Sequence, residues 1–185
     1  VVVYPTETLY GLGADASSEG AVERVAALKG RDAGKPILVI VSSREMLAGI
    51  VSEVSAAAER LMERFWPGPL TLVLPAKEGL SRLLTGGRQA IGVRISSHPL
   101  ARALVEGLGR PLTSTSANRG GRSPATDLAA ARGYFGSSVG AYVDGGPCGA
   151  ARGSTVVDLS GTKALLVREG AVSASEIERH GVRLR

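Results

Sequence analysis

Short apolar segments alternate with helical patterns along this chain of 185 residues, and this alternation limits the folds that it can adopt. The run 37–41 is entirely apolar and predicts a buried strand, and comparable strand patterns lie at 1–4, 70–74, 90–95 and 139–143. Residues 54–65 carry apolar side chains at helical spacing and predict a helix that Pro67 ends. Further helices are predicted to begin at capping residues, namely Ser17 or Ser18, Ser42 or Ser43, His98, Asp127 and Ser173. Two strand patterns around Gly161 predict a closing hairpin. The order of these elements predicts an α/β fold with a mixed, twisted sheet in one domain.

The composition excludes several classes of protein. The single cysteine, Cys148, rules out an internal disulfide framework and fits a reducing compartment, so we expect a cytoplasmic protein. No apolar run approaches the roughly 20 residues of a membrane span, and one cysteine with two histidines is too few for a usual zinc site. The net charge of +5 is carried mainly by scattered arginines, which favours anion-binding pockets or a basic face. Because the chain opens on three valines and has no initial Met, we expect further residues ahead of it.

The most informative charged segment lies between a predicted helix and the strand 37–41. It carries Lys29, Arg31 and Lys35 within seven residues. Gly30 and Gly34 allow the backbone to turn and to approach a ligand closely. Such a loop is suited to a highly charged anion, most plausibly a triphosphate. The alternative is a solvated helix end, where cations interact favourably with the helix dipole.

A second segment, Thr113–Asn118, is rich in small polar side chains directly after the apolar Leu112. A buried strand does not carry four consecutive hydroxyls unless they have partners. Hydroxyls at a strand end beside a Gly-rich loop are well suited to hold phosphate or carboxylate oxygens. An edge strand whose hydroxyls bond to the backbone is the alternative.

Several single residues could complete an anion site. Arg94 lies in an otherwise apolar strand, where it either faces solvent or reaches an anion. Ser154 and Arg168 lie at the two ends of the closing hairpin, and each could be merely exposed. Tyr10 follows the hydroxyl-rich segment 6–8, which could also be an ordinary turn.

Titratable groups with an obvious acid–base role are few. Glu7 and Asp144 are acid–base candidates by exposure alone, and the chain contains no P-loop, no GxGxxG after the first strand and no GxSxG. A pocket of cations, hydroxyls and amides suits phosphoryl or adenylyl transfer, in which positioning and charge stabilisation carry most of the catalysis.

Short segments that run through nearly the whole chain carry a family resemblance. They are Tyr4–Gly13, Lys29–Arg31 with Lys35–Pro36, Trp66–Thr71, Gly92–Arg94, Ser114–Asn118 and Ser154–Asp158. In these segments and in their order the chain resembles the YrdC-like family, whose KxR…SxN signature matches Lys29, Arg31, Ser116 and Asn118. Each segment is weakly specific alone, and the set is highly specific.

The resemblance implies a fold and a reaction. The fold would be a YrdC-like twisted mixed β-sheet with flanking helices around a basic concave pocket, in a single domain that covers residues 1–185. The reaction would convert L-threonine, bicarbonate and ATP into threonylcarbamoyl-adenylate and pyrophosphate. The threonylcarbamoyl group would then modify a tRNA adenosine, with tRNA bound directly or through a partner transferase complex.

The resemblance also implies roles for individual residues. Catalysis would involve Lys29, Arg31, Ser116 and Asn118. ATP would contact these four and Lys35, Thr71 and Arg168. L-Threonine would contact Thr8, Tyr10, Arg94, Ser114, Thr115 and Ser154. Mg²⁺ would be held by the ATP phosphates, with no protein side chain as a ligand.

Three departures from the family pattern stand beside two alternative functions. Asp32 and Glu169 each occupy a position where the family usually has proline, and no second domain is expected after this one. One alternative is a YciO-like or RNA-binding module without synthase activity, against which the intact Ser116-Ala117-Asn118 argues. The other is a carbamoyl-adenylate-forming domain of the kind found in hydrogenase maturation proteins, whose acylphosphatase and zinc-finger segments this sequence lacks.

Overall fold

The computed structural model describes residues 1–30, 34–149 and 152–185. The strands of the described residues are β1 (Val2–Pro5), β2 (Tyr10–Gly13), β3 (Val39–Ile40), β4 (Leu70–Pro75), β5 (Ala90–Arg94), β6 (Leu112–Thr113), β7 (Thr115–Ser116), β8 (Ala141–Tyr142), β9 (Thr155–Asp158) and β10 (Leu165–Arg168). The helices are α1 (Glu19–Lys29), α2 (Arg44–Ala48), α3 (Ala56–Phe65), α4 (Arg82–Thr85), α5 (Pro99–Leu108), α6 (Leu128–Phe135) and α7 (Ala174–Arg179), with a 3₁₀ turn at Gly136–Ser138.

The strands form two sheets, whereas the sequence predicted one. The small sheet has the order β7-β2-β1-β8, and the large sheet has the order β10-β9-β4-β5-β3-β6. Both are mixed: β1 and β8 are parallel in the small sheet, and the pairs β3–β5 and β4–β9 are parallel in the large one. The α/β class and the mixed pairing are therefore confirmed.

The hydroxyl-rich segment 112–116 connects the two sheets. Its first half, β6, pairs with β3 of the large sheet, and its second half, β7, pairs with β2 of the small sheet. Between them the Ser114 N–H donates to the Leu38 carbonyl at 2.6 Å. The Thr113 hydroxyl accepts from the Ala14 N–H at 2.9 Å. A segment that reads as one strand in the sequence thus divides, because each half finds its partner in a different sheet.

Helix starts follow the predicted capping residues closely. The side chains of Ser43, Asp127 and Ser173 accept backbone N–H groups at the starts of α2, α6 and α7. Ser18 occupies the N-cap position of α1 but makes no capping bond with its side chain. The helix predicted over 54–65 begins at Ala56 and ends at Phe65, directly before Trp66-Pro67.

Two elements were not predicted. Strand β2 lies in a segment rich in hydroxyls and glycine, and such a segment lacks the β-branched pattern that marks a strand. Helix α4 is a single turn between glycines, where a pattern of helical spacing has no room to develop.

The main core lies where the large sheet meets the helices. Leu72 of β4, Val93 of β5 and Val157 of β9 are completely buried, and Leu61 of α3 belongs to the same cluster. A second cluster joins β1, β3, α5 and β6 through Tyr4, Ile40, Ala101, Val105 and Leu112. In the described part of the chain, no helix has the length and apolar character needed to cross a membrane.

Candidate functional site

A cavity of about 370 Å³ is lined by residues from both sheets. The lining includes these predicted site residues: Thr8, Tyr10, Arg94, Ser114, Thr115, Ser116, Ser154 and Arg168. Charged side chains on the wall are Arg94, Arg152, Arg168 and Glu169. The two sheets thus meet around a space whose charged wall contains more cations than anions, which suits an anionic ligand.

Lys29 lies beside this cavity, at the end of α1. Lys29 is buried, with a relative exposure of 4%. Its Nζ donates to the Ser116 carbonyl at 2.5 Å and to Asn118 Oδ1 at 2.8 Å. Gly30 takes the left-handed conformation with φ of 58° and ends the helix there. The structure therefore brings together three of the four residues of the KxR…SxN signature, and the fourth, Arg31, lies outside the described residues.

Asn118 is held by the protein through both ends of its amide. Its Oδ1 also accepts from the Ser116 hydroxyl at 2.6 Å, while its Nδ2 donates to the carbonyls of Arg119 and Arg122 at 3.0 and 2.6 Å. The residue is buried and does not line the cavity. Asn118 thus links the glycine-rich loop 119–122 to Lys29. The sequence did not reveal this structural position.

Arg94 ends β5 and is 6% exposed. Its Nη1 donates to Glu7 Oε1, and Ser96 Oγ donates to the other carboxylate oxygen, Oε2. Of the two interpretations of Arg94, a solvent-facing position is wrong, because the side chain is buried and lines the cavity. A buried guanidinium needs a partner to offset its lost hydration, and Glu7 supplies one.

Arg168 ends β10 on another part of the wall. Its Nε and Nη2 donate to the Ser154 carbonyl at 3.2 and 2.8 Å. Partial desolvation of the guanidinium lowers the pKa of Arg168, and the positive charge of Arg94 acts in the same direction. The Ser154 hydroxyl also lies 2.9 Å from the hydroxyl of Thr71, which is completely buried. Thr71 does not line the cavity. It therefore supports Ser154, which does, through this hydrogen bond.

Tyr10 ties the loop after β8 to the small sheet. Its hydroxyl donates to the Gly146 carbonyl at 2.8 Å and accepts from the Gly145 N–H at 3.2 Å. Burial raises the pKa of Tyr10 above the ordinary value of 10.0. The tyrosine thus holds one wall of the cavity in place.

The structure places one predicted residue, Lys35, away from the cavity wall and adds residues that were not predicted. Lys35 is exposed. Sequence reasoning gave no role to Arg152 and Leu38, which line the cavity, or to Ser96, which contacts Glu7. The sequence made Glu7 an acid–base candidate by exposure alone, and that expectation is wrong, because its side chain is only 13% exposed. In the sequence, the feature that distinguishes Glu7 is its position between two threonines. That pattern does not show which cation Glu7 pairs with.

Metal-binding side chains are not clustered in the described residues. Over residues 1–30, 34–149 and 152–185, no group of three or more His, Cys, Asp or Glu side chains could hold a metal ion. All buried side-chain nitrogen and oxygen atoms in that part of the chain have hydrogen-bond partners.

A family model for Sua5/YciO/YrdC domains, described as "Telomere recombination", matches residues 1–170. The chain belongs to the Sua5/YciO/YrdC family. A family relative from Pyrococcus abyssi named threonylcarbamoyl-AMP synthase is 41% identical over 180 residues, which cover 97% of this chain and 53% of the relative. Another of that name, from Thiobacillus denitrificans, is 44% identical over 165 residues, which cover 89% of this chain and 87% of the relative. The chain thus spans about half the length of the first relative.

Solved structures of the family have the same fold. The structure of P. abyssi Sua5 complexed with L-threonine matches with a TM-score of 0.95 and 39% identity, covering 100% of this chain and 55% of that one. The structure of Escherichia coli YciO matches with a TM-score of 0.85 and 31% identity, covering 96% of this chain and 86% of that one. The family prediction made from the sequence is therefore confirmed.

Proposed function

We propose that this chain is a threonylcarbamoyl-AMP synthase, which joins L-threonine, bicarbonate and ATP into threonylcarbamoyl-adenylate and releases pyrophosphate. The observation that carries the proposal is the cavity whose wall combines Arg94, Arg168 and the hydroxyls of 114–116, with Lys29 bonded directly behind it. Relatives that bear this name support it, as does the P. abyssi Sua5 structure with L-threonine. These comparisons favour neither the YciO-like or RNA-binding module nor the carbamoyl-adenylate-forming domain.

The proposed roles follow from the charge of each side chain. Lys29, Arg31, Lys35 and Arg168 would neutralise phosphate oxygens of ATP, and Mg²⁺ held by the ATP phosphates would add positive charge there. Arg94 has a planar fork that matches a carboxylate and would bind that group of L-threonine. The hydroxyls of Thr8, Tyr10, Ser114, Thr115 and Ser154 are assigned to threonine and to the carbonate-derived group.

Asn118, Ser116 and Thr71 take more specific positions in this proposal. Asn118 would hold Lys29 and the Gly-rich loop in the conformation that receives ATP. Ser116 presents one face to the cavity and bonds to Lys29 through its carbonyl. Thr71 would act on ATP through Ser154, to which it is bonded. In this scheme catalysis depends mainly on positioning and charge stabilisation.

The product, threonylcarbamoyl-adenylate, would pass to a second enzyme. A transferase, alone or in a complex, would move the threonylcarbamoyl group to a tRNA adenosine in the cytoplasm. Because the arginines are scattered, we expect this chain alone to bind tRNA weakly, with Kd no tighter than about micromolar at physiological salt.

Pyrophosphate release tests the proposal directly. Release from ATP is measured with L-threonine, bicarbonate and Mg²⁺ omitted in turn, and we expect each omission to abolish it. Release that ignores threonine would contradict the threonylcarbamoyl assignment and favour carbamoyl-adenylate chemistry. Absence of release with all components present would favour a binding module.

A further inference from the structure

We propose that Glu7 is a positioning residue that orients the Arg94 guanidinium toward the carboxylate of the substrate. The inference rests on the proposed function and extends it, because it assigns a role to a carboxylate that takes no part in the scheme above. Glu7 contacts Arg94 and Ser96 and does not line the cavity, whereas Arg94 does. Its effect on the substrate would therefore be transmitted by Arg94.

The local structure explains how Glu7 reaches Arg94. Strands β1 and β2 form a hairpin in which Pro5 pairs with Tyr10, so that residues 6–9 form the connecting turn. The Thr6 hydroxyl closes this turn by donating to the Leu9 carbonyl at 2.7 Å and by accepting from the N–H groups of Thr8 and Leu9. Glu7 is thus held at the tip of a fixed turn of the small sheet.

The contact made by this turn crosses between the two sheets. Arg94 is the last residue of β5 in the large sheet, and Glu7 lies 87 positions earlier in the sequence. Both side chains are mostly buried, with relative exposures of 7% for Arg94 and 13% for Glu7. An ion pair shielded from water in this way restricts the guanidinium more strongly than an exposed pair does.

The geometry leaves Arg94 with donors to spare. A guanidinium has five N–H donors, and within the described residues the one hydrogen bond that Arg94 donates to a side chain runs from Nη1 to Glu7. The remaining donors belong to a residue of the cavity wall. A fork anchored at one nitrogen is pre-organised to bind a planar carboxylate through the others.

The second carboxylate oxygen of Glu7 is also held by the protein. Ser96 is completely buried and donates to Glu7 Oε2, while its hydroxyl accepts from the His98 N–H at 3.2 Å. His98 caps α5 by accepting from the Leu100 N–H. Because both oxygens of Glu7 are engaged, the carboxylate is arranged to hold Arg94 and not to remove a proton from the substrate.

Steady-state kinetics of Glu7→Gln test the assignment. The amide keeps the size of the side chain and removes its charge, so we expect the KM for L-threonine to rise about tenfold or more. The KM for ATP and kcat should stay close to those of the unmodified chain. Glu7→Asp, which keeps the charge on a shorter arm, should recover part of the threonine KM.

Asp15→Asn is the matched control, because Asp15 also pairs with an arginine, Arg110, at 2.8 Å and does not line the cavity. It should leave all three constants unchanged. If Glu7→Gln lowers kcat at unchanged threonine KM, Glu7 acts on the reacting atoms and the positioning role is wrong. Equal changes in all constants, or the same changes in the control, would also overturn it as a merely structural effect.

A double-mutant cycle with Arg94→Gln separates action through Arg94 from independent action. We expect Glu7→Gln to add nothing to the threonine KM when Arg94 is already replaced, and additive effects would overturn the proposal. Calorimetric titration with L-threonine supplies Kd values without chemistry. A chain that binds threonine but releases no pyrophosphate would refute the proposed function alone, and the effect of Glu7→Gln on Kd would still decide the role of Glu7. A chain that does not bind threonine would refute both.

Discussion

Two buried cations at the cavity contact different kinds of oxygen atom in the described part of the chain. The lysine centre consists of Lys29, Ser116 and Asn118, and its ammonium donates to a backbone carbonyl and an amide oxygen. The arginine centre consists of Arg94, Glu7 and Ser96, and its guanidinium faces a carboxylate. Among the described residues, the oxygens that Lys29 contacts are neutral and come from a single short segment, whereas the arginine centre uses an ion pair that joins two sheets.

This difference determines what a substitution should do at each centre. Removing a neutral oxygen costs roughly one charge-assisted hydrogen bond, about 1.5–3 kcal/mol. Removing one member of a buried ion pair leaves the other charged and unpaired, and costs more. The arginine centre should therefore be the more sensitive of the two in stability, even though the lysine centre carries the family signature.

The largest effect is expected for Glu7→Leu, because Arg94 then stays buried without its carboxylate. The free energy of unfolding should fall by about 3–5 kcal/mol, measured by denaturant unfolding. The double variant Glu7→Leu with Arg94→Met should recover most of the loss, since two apolar side chains replace the pair. A double variant as unstable as the single one would show that the pair itself does not account for the loss.

A smaller loss is expected for Asn118→Ala, which removes partners of Lys29, Ser116 and two loop carbonyls. Stability should fall by about 1.5–3 kcal/mol, and ATP should no longer raise the melting temperature. Asn118→Asp sharpens the comparison, because it gives Lys29 a carboxylate while losing both N–H donors to the loop. An unchanged melting temperature for Asn118→Ala, with or without ATP, would contradict the position assigned to this residue.

The buried phenol of Tyr4, which interacts electrostatically with Arg94 and Glu7, should make the stability of the protein depend on pH. Burial raises its pKa to about 12 from the ordinary value of 10.0, and Arg94 and Glu7 act on it in opposite directions. The unfolded state therefore loses this proton at lower pH than the folded state does. The stabilising contribution is fully present below pH about 10 and is lost as the pH rises toward about 12, at up to about 1.4 kcal/mol per pH unit.

Tyr4→Phe checks this expectation, because it removes the titrating group and also the bond to the Thr113 carbonyl. Between pH 9 and about 11.5 the unmodified chain should lose stability more steeply than the variant, as measured by urea unfolding. Parallel pH profiles would mean that Tyr4 does not contribute to the alkaline loss.

The smallest effect is expected for Thr71→Val, at the neutral hydroxyl pair behind Arg168. The substitution keeps the shape of the side chain and removes one buried hydrogen bond to Ser154, so the loss should be about 1 kcal/mol. The KM for ATP should rise modestly if Thr71 supports the site through Ser154. Thr85→Val, at a buried threonine outside this cavity, is the matched control and should leave that KM unchanged.

Local patterns predicted most elements of the fold but not their assembly. Apolar runs and capping residues located β4, β5, α2, α3 and α6 within a few residues, because strand and helix periods depend on neighbours in the chain. Strand β2 was missed because its glycine-rich sequence carries no strand pattern, and helix α4 was missed because four residues are too few to show helical spacing. The division into two sheets was also missed, because it depends on which strand each half of 112–116 meets.

The site divides in the same way between motif and tertiary contact. The family signature alone brought Lys29, Ser116 and Asn118 into one hypothesis, and the structure places them in contact although Lys29 and Asn118 are 89 positions apart. The burial of Asn118, the support of Ser154 by Thr71 and the pairing of Glu7 with Arg94 could not be predicted. Each depends on which side chain of a distant segment is nearest.

By itself, the sequence determined the α/β class, the order of most elements and the family. These properties follow from local periodicity and from residue types, which a single chain displays directly. Only the tertiary structure decided that the hydroxyl-rich segment joins two sheets and that the carboxylate of Glu7 lies against Arg94. The physical reason is that a buried charge is stabilised by whichever partner the assembled sheets bring within bonding distance.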